Sequence, residues 1–152
     1  MTRADPLLPL LQEWTGTSLR RSMRGMILFM KENELSMSQI GALFQIQRGK
    51  SNVSDLGERL DITIAAASQM LERLGQMGLI QRLEDPQDRR AKKLVLTDKG
   101  SQVLQESVQA RQSWLADLAA TFSAREKEQI AAAIKIMIDK NNQLDQNAES
   151  GR

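Results

Sequence analysis

Between residues 51 and 100 the chain sets out an ordered series of local signals that few folds can accommodate. Asn52 with Asp55 reads as the capped start of a short helix, with Val53, Leu56 and Leu60 facing inward and an abrupt end at Asp61. Thr63 then caps a second helix whose Ile64, Ala67, Met70, Leu71 and Leu74 form a buried stripe, leaving Ala65, Ala66, Gln69 and Arg73 on the opposite side. Gly75 and Gly78 mark its end, and residues 79–84 and 92–96 read as two strands around the turn-forming Asp85-Pro86-Gln87-Asp88. Two helices joined by a tight turn and followed by a basic hairpin describe a winged helix-turn-helix. In such a unit the second helix enters a DNA major groove and the hairpin reaches the adjoining minor groove.

The flanks read as helices. Residues 6–31 place Leu7, Leu10, Leu11, Trp14, Met23, Met26, Ile27 and Met30 near helical spacing, with Thr15-Gly16-Thr17 as a weak point where a bend is expected. Ser36 and Gln39 form a capping box ahead of Ile40, Leu43, Phe44 and Ile46, and Gly49 stops that helix. Thr97 caps a helix expected to reach about Ala120, with Val103, Leu104, Val108, Trp114, Leu115 and Leu118 as its apolar positions. Ser123 and Glu126 make another capping box, before a last helix carrying Ile130, Ala133, Ile134, Met137 and Ile138. Residues 146–152 read as a frayed polar tail.

The expected fold class is therefore mainly α: one domain over residues 1–152, with a winged helix-turn-helix lobe at 35–99, a two-stranded wing, and dimerisation helices at 1–34 and 100–145. The terminal helices carry more apolar surface than a small winged helix can cover, so the economical arrangement packs them against a second copy. A C2 homodimer would present two recognition helices to a pseudo-palindromic site. The alternative is a monomer closed by these helices alone.

The chain has no Cys and no His, which removes thiol redox chemistry, thiolate or imidazole metal ligation and His-based nucleophilic triads. No catalytic residue, metal ligand or cofactor is expected. The formal net charge is only +2, so any electrostatic footprint on DNA must come from where the charges sit. No apolar run approaches a membrane span and the first residues lack a signal-peptide pattern, so a cytoplasmic location with no membrane partner is expected.

With these elements in place, the chain resembles the MarR family of bacterial transcription regulators, through VSDLGERLDITIAAASQMLERLGQMGLIQR followed by EDPQDRRAKKLVLTDKG. The most specific part is the wing, where Asp88, Arg89, Arg90, Leu96, Thr97 and Gly100 match the family's Asp-x-Arg turn and the LT-x-x-G that follows it. The resemblance implies an obligate dimer, usually a repressor, that many members release from DNA when a small aromatic or anionic effector binds between the lobes. Its oxidant-sensing branch uses Cys and its metal-sensing branch uses His, and neither is open to this sequence.

The candidate DNA-binding residues follow from groove chemistry. Arg90 suits a narrow minor groove, where the negative potential is enhanced, with Asp88 to hold it and Arg89 beside them for a phosphate. The plainer alternative is a surface pair that closes the hairpin tip. On the second helix of the motif, Gln69 can bond adenine in bidentate fashion and Arg73 guanine or a phosphate, while Ser68, Ala65 and Ala66 offer a hydroxyl and methyl contacts. Arg73 as a merely solvated charge is the competing reading. Thr63 serves as a cap with a second use on phosphate. Ser36 and Ser38 start a helix whose dipole favours a phosphate oxygen, and Lys92 and Lys93 add salt-sensitive attraction. Arg20, Met23, Arg24 and Met26 are the candidate pocket for an anionic effector, with dimer core plus solvated charge as their plainer reading. The competing function is a winged-helix dimer that acts as a protein-interaction module without DNA binding.

Overall fold

The structure, a computed structural model, describes residues 5–49, 52–84 and 92–150. Its elements in chain order are α1 (Leu7–Glu32), α2 (Met37–Gln47), α3 (Val53–Leu60), α4 (Ile64–Gln76), β1 (Ile80–Glu84), β2 (Lys92–Leu96), α5 (Asp98–Gln112), α6 (Trp114–Ala120) and α7 (Ala124–Ser150). They divide into two compact units, residues 1–113 and 114–152.

Local capping chemistry sets most of the boundaries. The Ser36 hydroxyl accepts from the Gln39 N–H at 3.2 Å while the Ser36 N–H donates to Gln39 Oε1 at 2.7 Å, which closes the capping box of α2. Asn52 Oδ1 accepts from the Asp55 N–H at 2.7 Å, and Thr63 Oγ1 from the Ala66 N–H at 3.2 Å. Between α3 and α4 the turn is tight because Asp61 takes the left-handed conformation, with φ 53°, as the C-cap of α3. The Ile62 N–H then folds back onto the Gly57 carbonyl at 2.9 Å.

Around these caps a single core forms. Leu56 of α3, Leu71 and Leu74 of α4, and Ile40, Leu43 and Ile46 of α2 meet Met26 and Phe29 of α1, Leu104 of α5 and the sheet residues Ile80 and Leu94. The sheet is one antiparallel pair, with Ile80 opposite Leu96 and Arg82 opposite Leu94. Residues 35–96 thus build a winged helix-turn-helix on a mainly α frame. α1 runs alongside α5 so closely at Gly25 that a Cβ there would overlap the Ala110 carbonyl oxygen. Arg111 of α5 lies over the Phe44 ring at 5.4 Å from its centroid, a second tie between α5 and the motif.

Several expectations need correction. α1 passes through Thr15-Gly16-Thr17 as unbroken helix. Its buried positions are Met26 and Phe29, of which Phe29 is not among the apolar positions read from the sequence, and Leu7, Leu10, Trp14 and Ile27 are exposed. Ile64, expected in the buried stripe of α4, is 60% exposed, since the first turn of the helix projects beyond the core. The helix expected from Thr97 to Ala120 is two, α5 and α6, parted at Ser113, whose hydroxyl donates to the Ala110 carbonyl at 3.3 Å and so competes with the helical ladder. α7 continues through the residues expected to fray, up to Ser150. In the stretch just before them, side-chain pairs one turn apart support the helix, Lys140 to Gln143 and Asn141 to Asp145, each at 3.3 Å.

In the second unit the Ser123–Glu126 box forms as expected. Glu126 Oε2 accepts from the Ser123 hydroxyl at 2.7 Å and from its N–H at 2.8 Å. These bonds, the hydroxyl first, hold the exposed Glu126 carboxyl below its ordinary range. A lowered pKa means that the cap is fully formed at neutral pH and is lost as pH falls through the carboxylate range.

Candidate nucleic-acid interface

The geometry of α4 follows from its period. Ala67, Leu71 and Leu74 are buried, which turns Ala65, Ala66, Ser68, Gln69 and Arg73 outward, and all five are exposed. Three of them, Ala66, Gln69 and Arg73, form one wall of an open groove of about 1240 Å³. The end of α1 and the start of α2 supply the facing wall, where Ser36 and Ser38 sit at the capped N-terminus of α2. Met30, Met70 and Met77 add flexible apolar surface. Five of the predicted residues of α2 and α4, Ser36, Ser38, Ala66, Gln69 and Arg73, are thus gathered along the same opening. Thr63 is exposed at the start of α4, with its hydroxyl oxygen engaged as the cap.

Ser68 faces the other way, into a smaller cavity of about 490 Å³ shared with Leu71, Glu72, Ile80, Gln81, Arg82 and Leu94 between α4 and the hairpin. Lys93 is exposed on β2. Asp88, Arg89 and Arg90 lie outside the described residues, as does the side chain of Lys92.

Groove residues missed by sequence reasoning are of two kinds. Glu72 and Gln76 continue the row of Gln69 at helical spacing, and that spacing alone would have found them. Lys31 comes from the end of α1 and Glu34 from the turn that follows it, and only the tertiary approach of this segment to α4 brings them in.

In the effector set on α1, Arg20, Met23 and Arg24 share one helical face, and Met26 departs from it. Met26 is 1% exposed and belongs to the core, Arg20 donates to Thr17 Oγ1 at 3.0 Å on its own helix, and Met23 and Arg24 are exposed. None of the four lines either of the two cavities described above. Among the described residues there is no acidic cluster able to hold a metal ion, and no helix long and apolar enough to cross a membrane.

The family model described as the MarR family matches residues 35–92, the segment that builds α2, α3, α4 and β1 up to the first residue of β2. Over this segment the chain is similar to the MarR family. Its curated relatives include the HTH-type transcriptional repressor MdtR of Bacillus subtilis, 27% identical over 132 residues that span 86% of this chain and 85% of the relative. Another is the HTH-type transcriptional regulator YsmB of the same organism, 24% identical over 87 residues. That match covers 57% of this chain and 60% of the relative, less than two thirds of its length. Among solved structures, a mutant of Staphylococcus aureus MepR bound to an oligodeoxyribonucleotide has the same fold, with a TM-score of 0.64 at 20% identity over 90% of this chain and 98% of that one.

Proposed function

We propose that this chain is a MarR-type homodimeric transcription regulator, a repressor, that reads a pseudo-palindromic DNA duplex with α4 in the major groove and the hairpin in the minor groove. The observation that carries the reading is the outward row of Ala65, Ala66, Gln69 and Arg73 beside the capped start of α2. On this reading, Gln69 and Arg73 reach base edges, the two alanines allow close approach, and the α2 start with Ser36 and Ser38 takes a phosphate. Arg90 enters the minor groove, with Asp88 to hold it and Arg89 and Lys92 toward the backbone. The relative MdtR, a transcriptional repressor by name, supports repression, and the oligodeoxyribonucleotide held by the MepR mutant supports DNA as the ligand.

Dimerisation is supported by apolar side chains left in solvent. In α7, Ile134, Ile136, Met137, Ile138 and Leu144 are all exposed, as are Leu7, Leu10, Trp14 and Ile27 of α1. Apolar surface on that scale marks an interface. Release by a small aromatic or anionic effector completes the reading. Gene control through DNA needs no catalytic residue and no cofactor.

Selection from a random pool of duplexes of about 25 bp, with anisotropy at two salt concentrations, tests this reading. The expected result is a palindrome with half-sites about 10 bp apart. Arg73→Ala should then cost about 1 to 3 kcal/mol and relax preference at one position of each half-site. Arg90→Ala should weaken binding with the sedimentation of the protein unchanged. Weak, salt-sensitive binding without enrichment would favour the interaction-module reading.

A further inference from the structure

The turn that joins α4 to β1 ends in a Schellman arrangement. Gly78 has φ +72°, its N–H donates to the Gly75 carbonyl at 2.9 Å, and the Leu79 N–H donates to the Leu74 carbonyl at 3.0 Å. This leaves the carbonyls of Met77, Gly78 and Leu79, three in succession, to find partners outside the helix. All three find them at the start of α5. Lys99 Nζ donates to the Met77 carbonyl at 2.8 Å, the Thr97 hydroxyl to the Gly78 carbonyl at 2.6 Å, and the Thr97 N–H to the Leu79 carbonyl at 3.1 Å. Thr97 Oγ1 also accepts from the Gly100 N–H at 3.0 Å and so caps α5 with the same atom. At Gly100 the two backbones are so close that a Cβ would overlap the Leu79 carbonyl oxygen.

We propose that Thr97, Lys99 and Gly100 are positioning residues for DNA recognition, a clamp that fixes the end of α4 and the root of the hairpin to α5 in one relative setting. The proposal rests on the DNA-binding reading above. α4 and the hairpin address different grooves, so base contacts by one depend on its angle to the other. Phosphate contacts tolerate a small rotation, whereas bidentate base contacts weaken steeply when their angle is lost. Loosening the clamp therefore removes sequence discrimination before it removes general affinity. Lys99 is the member to test first, because it is exposed and its replacement by Met keeps chain length and helix propensity.

The experiment measures wild type, Lys99→Met and Lys99→Arg against the duplex that the wild type enriches from a random pool and against a scrambled duplex, each over a range of salt. Lys99→Met is expected to lose about tenfold in affinity for the enriched duplex, about 1.4 kcal/mol. Its affinity for the scrambled duplex, its salt slope and its melting temperature should stay unchanged. Lys99→Arg, which can still donate to the Met77 carbonyl, should restore most of the loss. Equal weakening on both duplexes with a salt slope lower by about one would make Lys99 a phosphate contact and overturn the proposal. So would undiminished affinity in Lys99→Met, a loss that tracks a lower melting temperature, or an arginine variant as weak as the methionine one. A wild type that enriches no duplex is a separate result, since it removes the DNA-binding reading itself and the clamp's role with it.

Discussion

Gly25→Ala is expected to lower the stability of the chain by about 3 kcal/mol, at the upper end of what overpacking costs. Two effects oppose each other at this site. Alanine is the better helix former by up to about 1 kcal/mol, which favours the substitution. The added methyl, however, would overlap the carbonyl oxygen of Ala110 and approach its carbon to 3.0 Å. That atom is helix backbone and has no rotamer with which to yield, so α1 and α5 must separate and the steric term wins. For a chain of this size the loss should appear as a fall of roughly 10 °C in melting temperature by circular dichroism. Gly75→Ala is the matched control, because it lies inside α4 with no atom within 4 Å of the added methyl. The control should gain up to about 1 kcal/mol. If Gly25→Ala melted at or above the wild type, the close crossing of α1 and α5 would be wrong.

Removing residues 123–152 is expected to have the largest effect on DNA binding, although the deletion touches no residue assigned to DNA. Nearly all described side chains of α7 are exposed, with apolar ones among them, which on the proposed reading is the surface a second copy covers. A dimer meets its second half-site at the high effective concentration set by the first, and an enforced monomer forfeits that advantage. The expected loss for a palindromic duplex is about 10²- to 10⁴-fold. Sedimentation should show a monomer, and anisotropy should show binding reduced to the level of one half-site. A truncated chain that stays dimeric would contradict the assignment of α7 to the dimer contact.

What could be read in the sequence was decided by the range of the interaction involved. The caps at Ser36, Asn52, Thr63, Thr97 and Ser123 were all legible, because each is a bond to a residue three positions on. The outward face of α4 was legible for the same reason, since its period alone separates Gln69 and Arg73 from Leu71 and Leu74. Contacts that depend on where one element meets another were not. Periodicity could not show that Phe29 is buried while Ile27 is exposed, or that Ile64 sits past the edge of the core. It could not find the bond from Lys99 to Met77, 22 positions away. Nor could it reveal that Lys31 and Glu34 share a groove with Gln69, or that Met26, suggested for an effector pocket, is buried in the core.

The groove between α2 and α4 bears on control of DNA binding. Gln69, Arg73, Ser36 and Ser38 line the same opening, so a molecule seated there occupies the surface assigned to DNA. Antagonism would then arise by plain exclusion, with no transmitted change of shape. By linkage the antagonism is reciprocal: the factor by which such a molecule weakens DNA binding equals the factor by which DNA weakens its own. Under strict exclusion the apparent dissociation constant for DNA rises in proportion to the free concentration of the occupant, without a plateau. An effector acting at a distance would saturate at a fixed coupling.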